Sequence, residues 1–168
     1  LSFFGIRPDM TVVEITPGGG WYTDILAPFL KGEGTFYAAG YDRDSDIGYF
    51  QRNIKRFDEN YVAKPEIFGT IHVTDISKTK TDIAPAGSAD LVLTFRNLHN
   101  WMGGDYAPEV FGAMYKALKP GGIMGLNQWG APFTQVCSSK GASVENRLLI
   151  EDVSGAAPRR HHPDSVRI

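Results

Sequence analysis

The chain has 168 residues, of which 42% are hydrophobic and 21% are charged. This is the length and composition of one globular domain, and it excludes a disordered or fibrous chain. Lys and Arg number 17 against 19 Asp and Glu, so the formal net charge is -2 and no surface for nucleic acid or anionic membrane is indicated. The single cysteine, Cys137, excludes an internal disulfide and a thiolate zinc site, and we predict no metal site.

No apolar run approaches the roughly 20 residues that a membrane-spanning helix requires, so we expect a soluble protein that is cytoplasmic by default. The sequence begins at Leu1 inside an apolar pattern and shows no basic segment ahead of an apolar one. We expect that any targeting signal, for example one for the periplasm, would precede Leu1.

The first element predicted is a strand at residues 11–15, a β-branched run that leads into a glycine turn at residues 16–20. Apolar side chains then recur at the spacing of a helix. They are Trp21, Ile25, Leu26, Phe29 and Leu30. A strand, a glycine turn and a helix in this order bring backbone amides close to a bound ligand.

Further strands and helices alternate along the chain. The strands are predicted at residues 35–39, 71–73, 90–95 and 123–126, and the helices at residues 47–61 and 106–118. This alternation indicates parallel pairing through right-handed crossovers. The predicted fold is therefore α/β, with a doubly wound, mostly parallel sheet and helices on both faces.

Ligands in an open parallel sheet bind beyond the carboxyl ends of the strands. After the second strand, this position holds an acidic loop with Asp42, Asp44 and Asp46. A carboxylate about 20 residues past the glycine turn is suited to binding the hydroxyl groups of a ribose, and Asp42 is our candidate. A solvated loop carboxylate is the structural alternative for Asp42.

Polar residues also follow the third and fourth strands. Asp75 follows the third strand, where it has the alternative role of capping the next turn. The fourth strand is followed by Arg-Asn-Leu-His-Asn-Trp at residues 96–101. Within that segment, His99 is a candidate for ligand contact, and a hydrogen-bonded packing histidine is its structural alternative.

These segments resemble class I S-adenosylmethionine-dependent methyltransferases. Pro-Gly-Gly-Gly-Trp-Tyr-Thr at residues 17–23 and Arg-Asn-Leu-His-Asn-Trp resemble a bacterial predicted-methyltransferase family, and the Arg96-Asn97 pair also resembles quinone-type methyltransferases. The resemblance covers residues 1–126. Its landmarks follow in order: the loop at residues 13–20, the strand at residues 88–92 and Leu-Lys-Pro-Gly-Gly at residues 118–122.

The resemblance implies a Rossmann-like methyltransferase fold with S-adenosylmethionine as the cofactor. It implies four cofactor-binding residues in and around the loop, at the methionine end of the cofactor: Glu14, Thr16, Gly18 and Gly20. After the next three strands, it implies Asp42 for the ribose, Asp75 for the adenine amino group, and Arg96. The implied catalytic residues near the methyl group and the acceptor are Arg96, Asn97 and His99.

We therefore expect a methyltransferase that acts on a small-molecule acceptor and not on nucleic acid. Methyl transfer from a sulfonium requires alignment, a dry site and, for acidic nucleophiles, a base. His99 is the candidate general base, and Arg96 and Asn97 are the candidates for orienting the acceptor.

Two departures from the family pattern leave alternatives open. Thr16 stands where the usual loop has its first glycine, and Gly40 stands at the usual position of the ribose carboxylate, shortly before Asp42. A non-catalytic cofactor-binding protein of the same fold is one alternative. A nicotinamide-dependent oxidoreductase is another, although the Leu-Lys-Pro-Gly-Gly segment speaks against it.

The sequence divides into a cofactor-binding domain at residues 1–127 and a tail at residues 128–168. The tail is rich in Gly, Ser, Pro and Arg, and only residues 144–153 have the pattern of a helix or strand. A fold of this class continues with a helix and a terminal β-hairpin. We therefore expect the tail to be disordered, truncated or altered by a frame shift.

Overall fold

The computed structural model describes residues 4–128 and 147–152. Its strands are β1 (Thr11–Ile15), β2 (Thr35–Tyr41), β3 (Ile71–Ile76), β4 (Ala89–Phe95), β5 (Leu118–Gln128) and β6 (Arg147–Asp152). Its helices are α1 (Thr23–Leu30), α2 (Gly48–Phe57), α3 (Pro65–Phe68), α4 (Leu98–Gly103) and α5 (Ala107–Ala117), and a π-helical turn (Asp58–Val62) continues α2.

The strands form a single sheet in the order β3-β2-β1-β4-β5-β6. Each neighbouring pair in this sheet is parallel. The chain builds outward from β1 first through β2 and β3, and then crosses to β4 on the other side. The junction of β1 and β4 is therefore the switch point of a doubly wound sheet, which is where such folds bind ligands.

Helices cover both faces of the sheet, which confirms the predicted fold class. Alternate residues of β1 point to opposite faces, so that Val13 packs with α4 and α5 while Val12 packs with α1 and the end of α2. The buried partners on the first face include Trp101 and Met114, and those on the second include Leu26. Two apolar layers thus hold the carboxyl edge of the sheet in place.

The predicted helix after the glycine turn is confirmed as α1, but the side chains expected to face the core are only partly right. Thr23, Leu26, Ala27 and Leu30 are the buried residues of α1. Trp21 is 78% exposed, and Ile25 and Phe29 are exposed as well. The helix buries the small residues Thr23 and Ala27 together with Leu26 and Leu30, and Ile25 and Phe29 face outward.

Several element boundaries differ from the sequence-based prediction. β3 extends to Ile76, so Asp75 lies within the strand opposite Gly40 and does not follow it. β5 begins at Leu118, and its register against β4 shifts between Ala89 and Leu91. This irregularity lets Pro120, which has no N–H group for a regular ladder, lie inside the strand.

Three elements were not predicted from the sequence, namely α3, α4 and the π-helical turn. α4 follows β4 directly, where we expected only a ligand-contacting segment, and the predicted helix at residues 47–61 ends as α2 at Phe57 before the π-helical turn. That turn carries the buried Tyr61.

The segment at residues 144–153 contains β6, and the rest of the tail, including Cys137, lies outside the described residues. None of the helices in residues 4–128 and 147–152 combines the length and the apolar character needed to cross a bilayer.

We expect Gly34→Ala to lower the free energy of unfolding by about 1–3 kcal/mol, because an added methyl group overpacks the start of β2. A Cβ at Gly34 would lie 2.5 Å from the backbone oxygen of Pro8 and 2.6 Å from that of Met10, neither of which can rotate away. Urea unfolding followed by circular dichroism measures the change.

Gly112→Ala in α5 is the matched control, since a Cβ there would meet nothing within 4 Å. We expect this exposed helical position to gain up to about 1 kcal/mol from the better helix propensity of alanine. Unfolding midpoints for Gly34→Ala and the wild type that coincide would contradict the packing argument.

Candidate functional site

The glycine turn after β1 has an open side and a packed side. Thr16, Gly18 and Gly20 have φ values of 52°, 57° and 86°, and the N–H of Gly20 donates to the carbonyl of Pro17 over 2.9 Å. A Cβ on Gly18 would meet only the Thr16 oxygen at 4.0 Å, whereas a Cβ on Gly20 would lie 2.2 Å from the ring of Tyr61. Gly18 therefore lets a ligand approach the backbone, and Gly20 makes room for Tyr61.

Glu14 lies in β1 beneath this turn and is only 2% exposed. Its Oε2 accepts a hydrogen bond of 2.7 Å from the hydroxyl of Thr23 at the start of α1. Burial raises the pKa of Glu14 to about 7, the hydrogen bond from Thr23 opposes this rise, and the charge of Asp24 adds to it. The carboxyl group is therefore close to its titration point at neutral pH.

Asn97, at the end of β4, directs its side-chain amide toward the backbone of the turn. Nδ2 lies 3.1 Å from the carbonyl oxygens of both Ile15 and Thr16, and 3.2 Å from the hydroxyl of Thr94. The side chain is 9% exposed. These contacts connect the carboxyl ends of β1 and β4, and they direct the amide nitrogen of Asn97 to the turn itself.

Arg96 and His99 are exposed at the same edge of the sheet. Arg96 has a φ of 62°, and its N–H donates to the carbonyl of Asn127 in β5 over 2.7 Å. His99 lies in the first turn of α4. Both residues are thus exposed to solvent at the rim, on the β4 side of the glycine turn.

A lysine that sequence reasoning missed binds the two predicted carboxylates on the β2 and β3 side. Lys80 Nζ lies 2.5 Å from Asp42 Oδ1, 2.6 Å from Asp44 Oδ2 and 3.0 Å from Asp75 Oδ2. The hydrogen bond from Lys80 lowers the pKa of Asp42, and the backbone N–H of Asp44 adds to this effect. The position of Lys80 just after β3, at the same edge as Asp42, is the signal that would have identified it.

Arg43 holds Asp75 from the other side. Its guanidinium makes two hydrogen bonds to Asp58, of 2.9 and 2.7 Å, and its Nε lies 3.8 Å from Asp75 Oδ1. The backbone N–H of Arg43 also donates to Asp75 over 3.2 Å. Counting Asp42, Asp44, Asp58 and Asp75 against Arg43 and Lys80, this group of six side chains carries an excess of negative charge.

An open crevice lies beside the glycine turn, against β2, β3 and α2. Its walls combine the apolar side chains Ile54, Phe57 and Val73 with Thr16, Gly18 and Gly40. A Cβ on Gly40 would meet nothing within 4 Å, so the position of the usual ribose carboxylate is open space here. Among the predicted site residues, Thr16 and Gly18 line the crevice, whereas Glu14, Gly20, Asp42, Asp75, Arg96, Asn97 and His99 do not.

Tyr41 forms a rigid aromatic part of the crevice wall. Its ring stacks on Phe50 of α2 with centroids 4.4 Å apart and an interplanar angle of 7°. Burial raises the pKa of Tyr41 to about 12, and the neighbouring Tyr49 contributes to this. The phenol therefore stays neutral and able to donate a hydrogen bond at physiological pH.

Within residues 4–128 and 147–152, His, Cys, Asp and Glu side chains nowhere gather in a group of three or more that could hold a metal ion.

No protein-family model matches the chain, and no curated protein matches its sequence. Solved structures do match it. A SAM-dependent methyltransferase from Aquifex aeolicus is 18% identical with a TM-score of 0.54, and CrArsM, an arsenic(III) S-adenosylmethionine methyltransferase from Chlamydomonas reinhardtii, is 17% identical with a TM-score of 0.52; each match covers 71% of this chain. The [4+2]-cyclase SpnF is 11% identical over 74% of this chain, with a TM-score of 0.54.

The chain spans 56%, 38% and 40% of the lengths of these three proteins, respectively. At such identities the likeness establishes the fold. The chain therefore has the Rossmann-like fold of S-adenosylmethionine-dependent methyltransferases, as the sequence predicted.

We expect Glu14 to make the free energy of unfolding fall by about 3 kcal/mol as pH rises from about 4.5 to about 7. The pKa of Glu14 is raised from 4.5 to about 7 on folding, so the folded state binds one more proton than the unfolded state in this window. Glu14→Gln removes this titration and keeps an acceptor for Thr23.

Urea unfolding of both proteins at pH 5 and pH 8, without ligand, measures the difference. The wild type should lose stability relative to Glu14→Gln at pH 8. A stability difference between the two proteins that does not change with pH would show that the folded-state pKa of Glu14 is not raised.

Proposed function

We propose that this chain binds S-adenosylmethionine in the crevice beside the glycine turn and transfers its methyl group to a small-molecule acceptor. The observation that carries the proposal is the open glycine turn at the carboxyl edge of the sheet, where Gly18 after β1 and Gly40 in the neighbouring β2 both have open space beside their Cα atoms. Ligand crevices of this fold class lie at this point. The methyltransferase structures that share the fold support the choice of cofactor.

The residues of the crevice fit such a cofactor. Thr16 and Gly18 offer backbone for close approach, and Ile54, Phe57 and Val73 offer an apolar wall for a purine ring. The nucleoside would occupy this crevice, and the methionine part would extend over the glycine turn.

Asp42 and Asp75 remain the candidates for the ribose and adenine groups. Each binds Lys80, but a carboxylate has about four lone-pair positions on its two oxygens. Lys80 and Arg43 therefore fix these carboxylates at the rim while leaving acceptor positions for ligand hydroxyl and amino groups.

The charge of the rim favours S-adenosylmethionine over a nicotinamide dinucleotide. Four carboxylates surround two cations there, and an excess of negative charge attracts a cationic ligand and repels a pyrophosphate. S-adenosylmethionine carries a sulfonium and an ammonium group against one carboxylate, whereas a dinucleotide carries a pyrophosphate. The oxidoreductase alternative is therefore disfavoured on electrostatic grounds.

The acceptor would lie at the β4 side of the rim, where Arg96 and His99 are exposed. When bound, the cofactor supplies an electrophilic methyl group on a positively charged sulfur. Arg96 would hold an anionic or polar group of the acceptor, and His99 would take the proton from the attacking atom. The lone pair of that atom would form the new bond to the methyl carbon as the carbon–sulfur bond breaks, and the sulfur would keep the electron pair of the broken bond as a neutral thioether. Asn97 lies beneath the turn and is not assigned to the acceptor.

A second candidate function is ligand binding without methyl transfer. SpnF, which shares the fold, is named as a [4+2]-cyclase, so the fold alone does not specify the reaction. The pairing of Asp42 and Asp75 with Lys80 also satisfies these carboxylates without a cofactor. Methyl transfer from labelled cofactor to a panel of small acceptors separates this candidate from the methyltransferase proposal.

We expect titration calorimetry with S-adenosylmethionine to show binding to the wild type below millimolar concentrations and no binding to Gly18→Val. The branched side chain would fill the space that the ligand needs beside Gly18, at a positive φ that valine also disfavours. The fold should persist, because a Cβ at Gly18 meets no other part of the protein within 3.5 Å.

Gly87→Val is the matched control. Gly87 has a φ of 63° and free space beside it, but it lies before β4, at the opposite edge of the sheet. It should show similar strain and unchanged affinity. Absence of wild-type binding at millimolar cofactor, or tighter binding of NAD, would overturn the proposal.

For His99→Ala we expect cofactor affinity close to that of the wild type and turnover lowered by about 10²–10⁴, because a general base contributes on this scale. His72→Ala, at an exposed position of β3, is the control and should keep full activity. Unchanged turnover in His99→Ala would contradict the role of His99 as general base and favour the alternative of a hydrogen-bonded packing histidine.

A further inference from the structure

The glycine turn contains a residue in a backbone conformation that its side chain disfavours. Thr16 has a φ of 52°, in the left-handed region where Cβ crowds the backbone and where a β-branched residue is rare. The usual loop of the resembled family has glycine at this position, which adopts such a φ without strain. Something in the structure must therefore hold Thr16 in place.

Hydrogen bonds from the two neighbouring strands hold the backbone around Thr16. On the β2 side, the N–H of Thr16 donates to the carbonyl of Ala39 over 2.7 Å. On the β4 side, Nδ2 of Asn97 lies 3.1 Å from the carbonyl oxygens of both Ile15 and Thr16. The amide of Asn97 thus contacts the carbonyl groups of the two peptide bonds that flank Thr16.

Asn97 is itself fixed by its surroundings. Its backbone carbonyl accepts hydrogen bonds from the N–H groups of Asn100 at 2.9 Å and Trp101 at 3.3 Å, in the first turn of α4. Trp101 is buried in the core that α4 and α5 form with the sheet. The amide therefore reaches the turn from a rigid support, as a positioning group requires.

We infer that Asn97 is a positioning residue for the ligand-binding turn, whose side-chain amide compensates for threonine in place of glycine at position 16. Both Thr16 and Gly18 line the crevice, so the conformation of Thr16 determines where the backbone of Gly18 meets the ligand. The inference rests on the proposed binding of S-adenosylmethionine for its functional consequence. It differs from the sequence-based expectation that Asn97 orients the acceptor.

A double-mutant cycle of Asn97→Ala and Thr16→Gly tests the inference. We expect Asn97→Ala to weaken binding of S-adenosylmethionine at least 10-fold, and Thr16→Gly alone to change it less than about 3-fold. The double variant should regain most of the lost affinity, because glycine keeps a positive φ without the amide. Titration calorimetry measures the four dissociation constants.

A purely structural role or an acceptor-orienting role predicts different results. If Asn97 only stabilised the core, Thr16→Gly would not rescue affinity, and the inference would be overturned. If Asn97 oriented the acceptor, Asn97→Ala would lower kcat and leave cofactor affinity unchanged, which would also overturn it. Thr94→Val is the control, since it removes the hydroxyl that contacts Asn97 Nδ2 and that donates to the Ile15 carbonyl over 3.4 Å, and it leaves the contacts of the Asn97 amide with both turn carbonyls. It should keep affinity within about 3-fold.

The same four proteins separate this inference from the proposed function. Should the wild type bind no S-adenosylmethionine, the proposed function fails, and the positioning role is read from urea unfolding. The factor by which Asn97→Ala raises the unfolding equilibrium constant should then be at least 3-fold smaller in the Thr16→Gly background than in the wild-type background. Equal factors in both backgrounds would overturn the inference. If Asn97→Ala does not fold, Asn97→Asp replaces it, because aspartate keeps the shape of the side chain but has no N–H donor.

Discussion

Parallel pairing of β1 with β2 on one side and with β4 on the other brings three chain segments together at one edge of the sheet. In this register Ile15 pairs with Ala39 and with Thr94, so the next residues of each strand emerge side by side. The glycine turn, Gly40 and the Arg96-Asn97 pair are neighbours for this reason alone. The contacts of the Asn97 amide with the glycine turn, and the open space beside Gly40, both depend on this alignment.

The two departures from the family pattern fall on adjacent positions of the same crevice. Thr16 carries a side chain where the usual loop has none, and Gly40 lacks one where the usual strand carries a carboxylate. Both residues line the crevice, and they follow the paired residues Ile15 and Ala39. The side-chain volume therefore lies on the β1 side of the crevice and not on the β2 side. The negative charge lies at the rim, on Asp42 and Asp75.

The sequence predicted the parts of the fold that local pattern determines. β1 was predicted at its observed bounds because a β-branched run lies between a proline-containing turn and a glycine turn. The pairing of Asp42 and Asp75 with Lys80 was missed: the position of Lys80 just after β3 was a local signal, but the contacts themselves depend on the path of the loop after that strand. The outward stripe of α1 was missed because Thr23 and Ala27 carry little apolar signal, yet their small size is what allows close packing on the sheet.

An exposed tryptophan lies between the glycine turn and α1. Trp21 follows Gly20 directly and is largely in solvent, whereas Trp101 of α4 is 1% exposed and enclosed in the core. Indole emission depends on how much water surrounds the ring, so these two tryptophans would emit at separate wavelengths. With Trp129, the third tryptophan, replaced by phenylalanine, any rearrangement of the turn that shields or further exposes Trp21 would alter the red-shifted part of the spectrum, which gives the protein an optical reporter of its own turn.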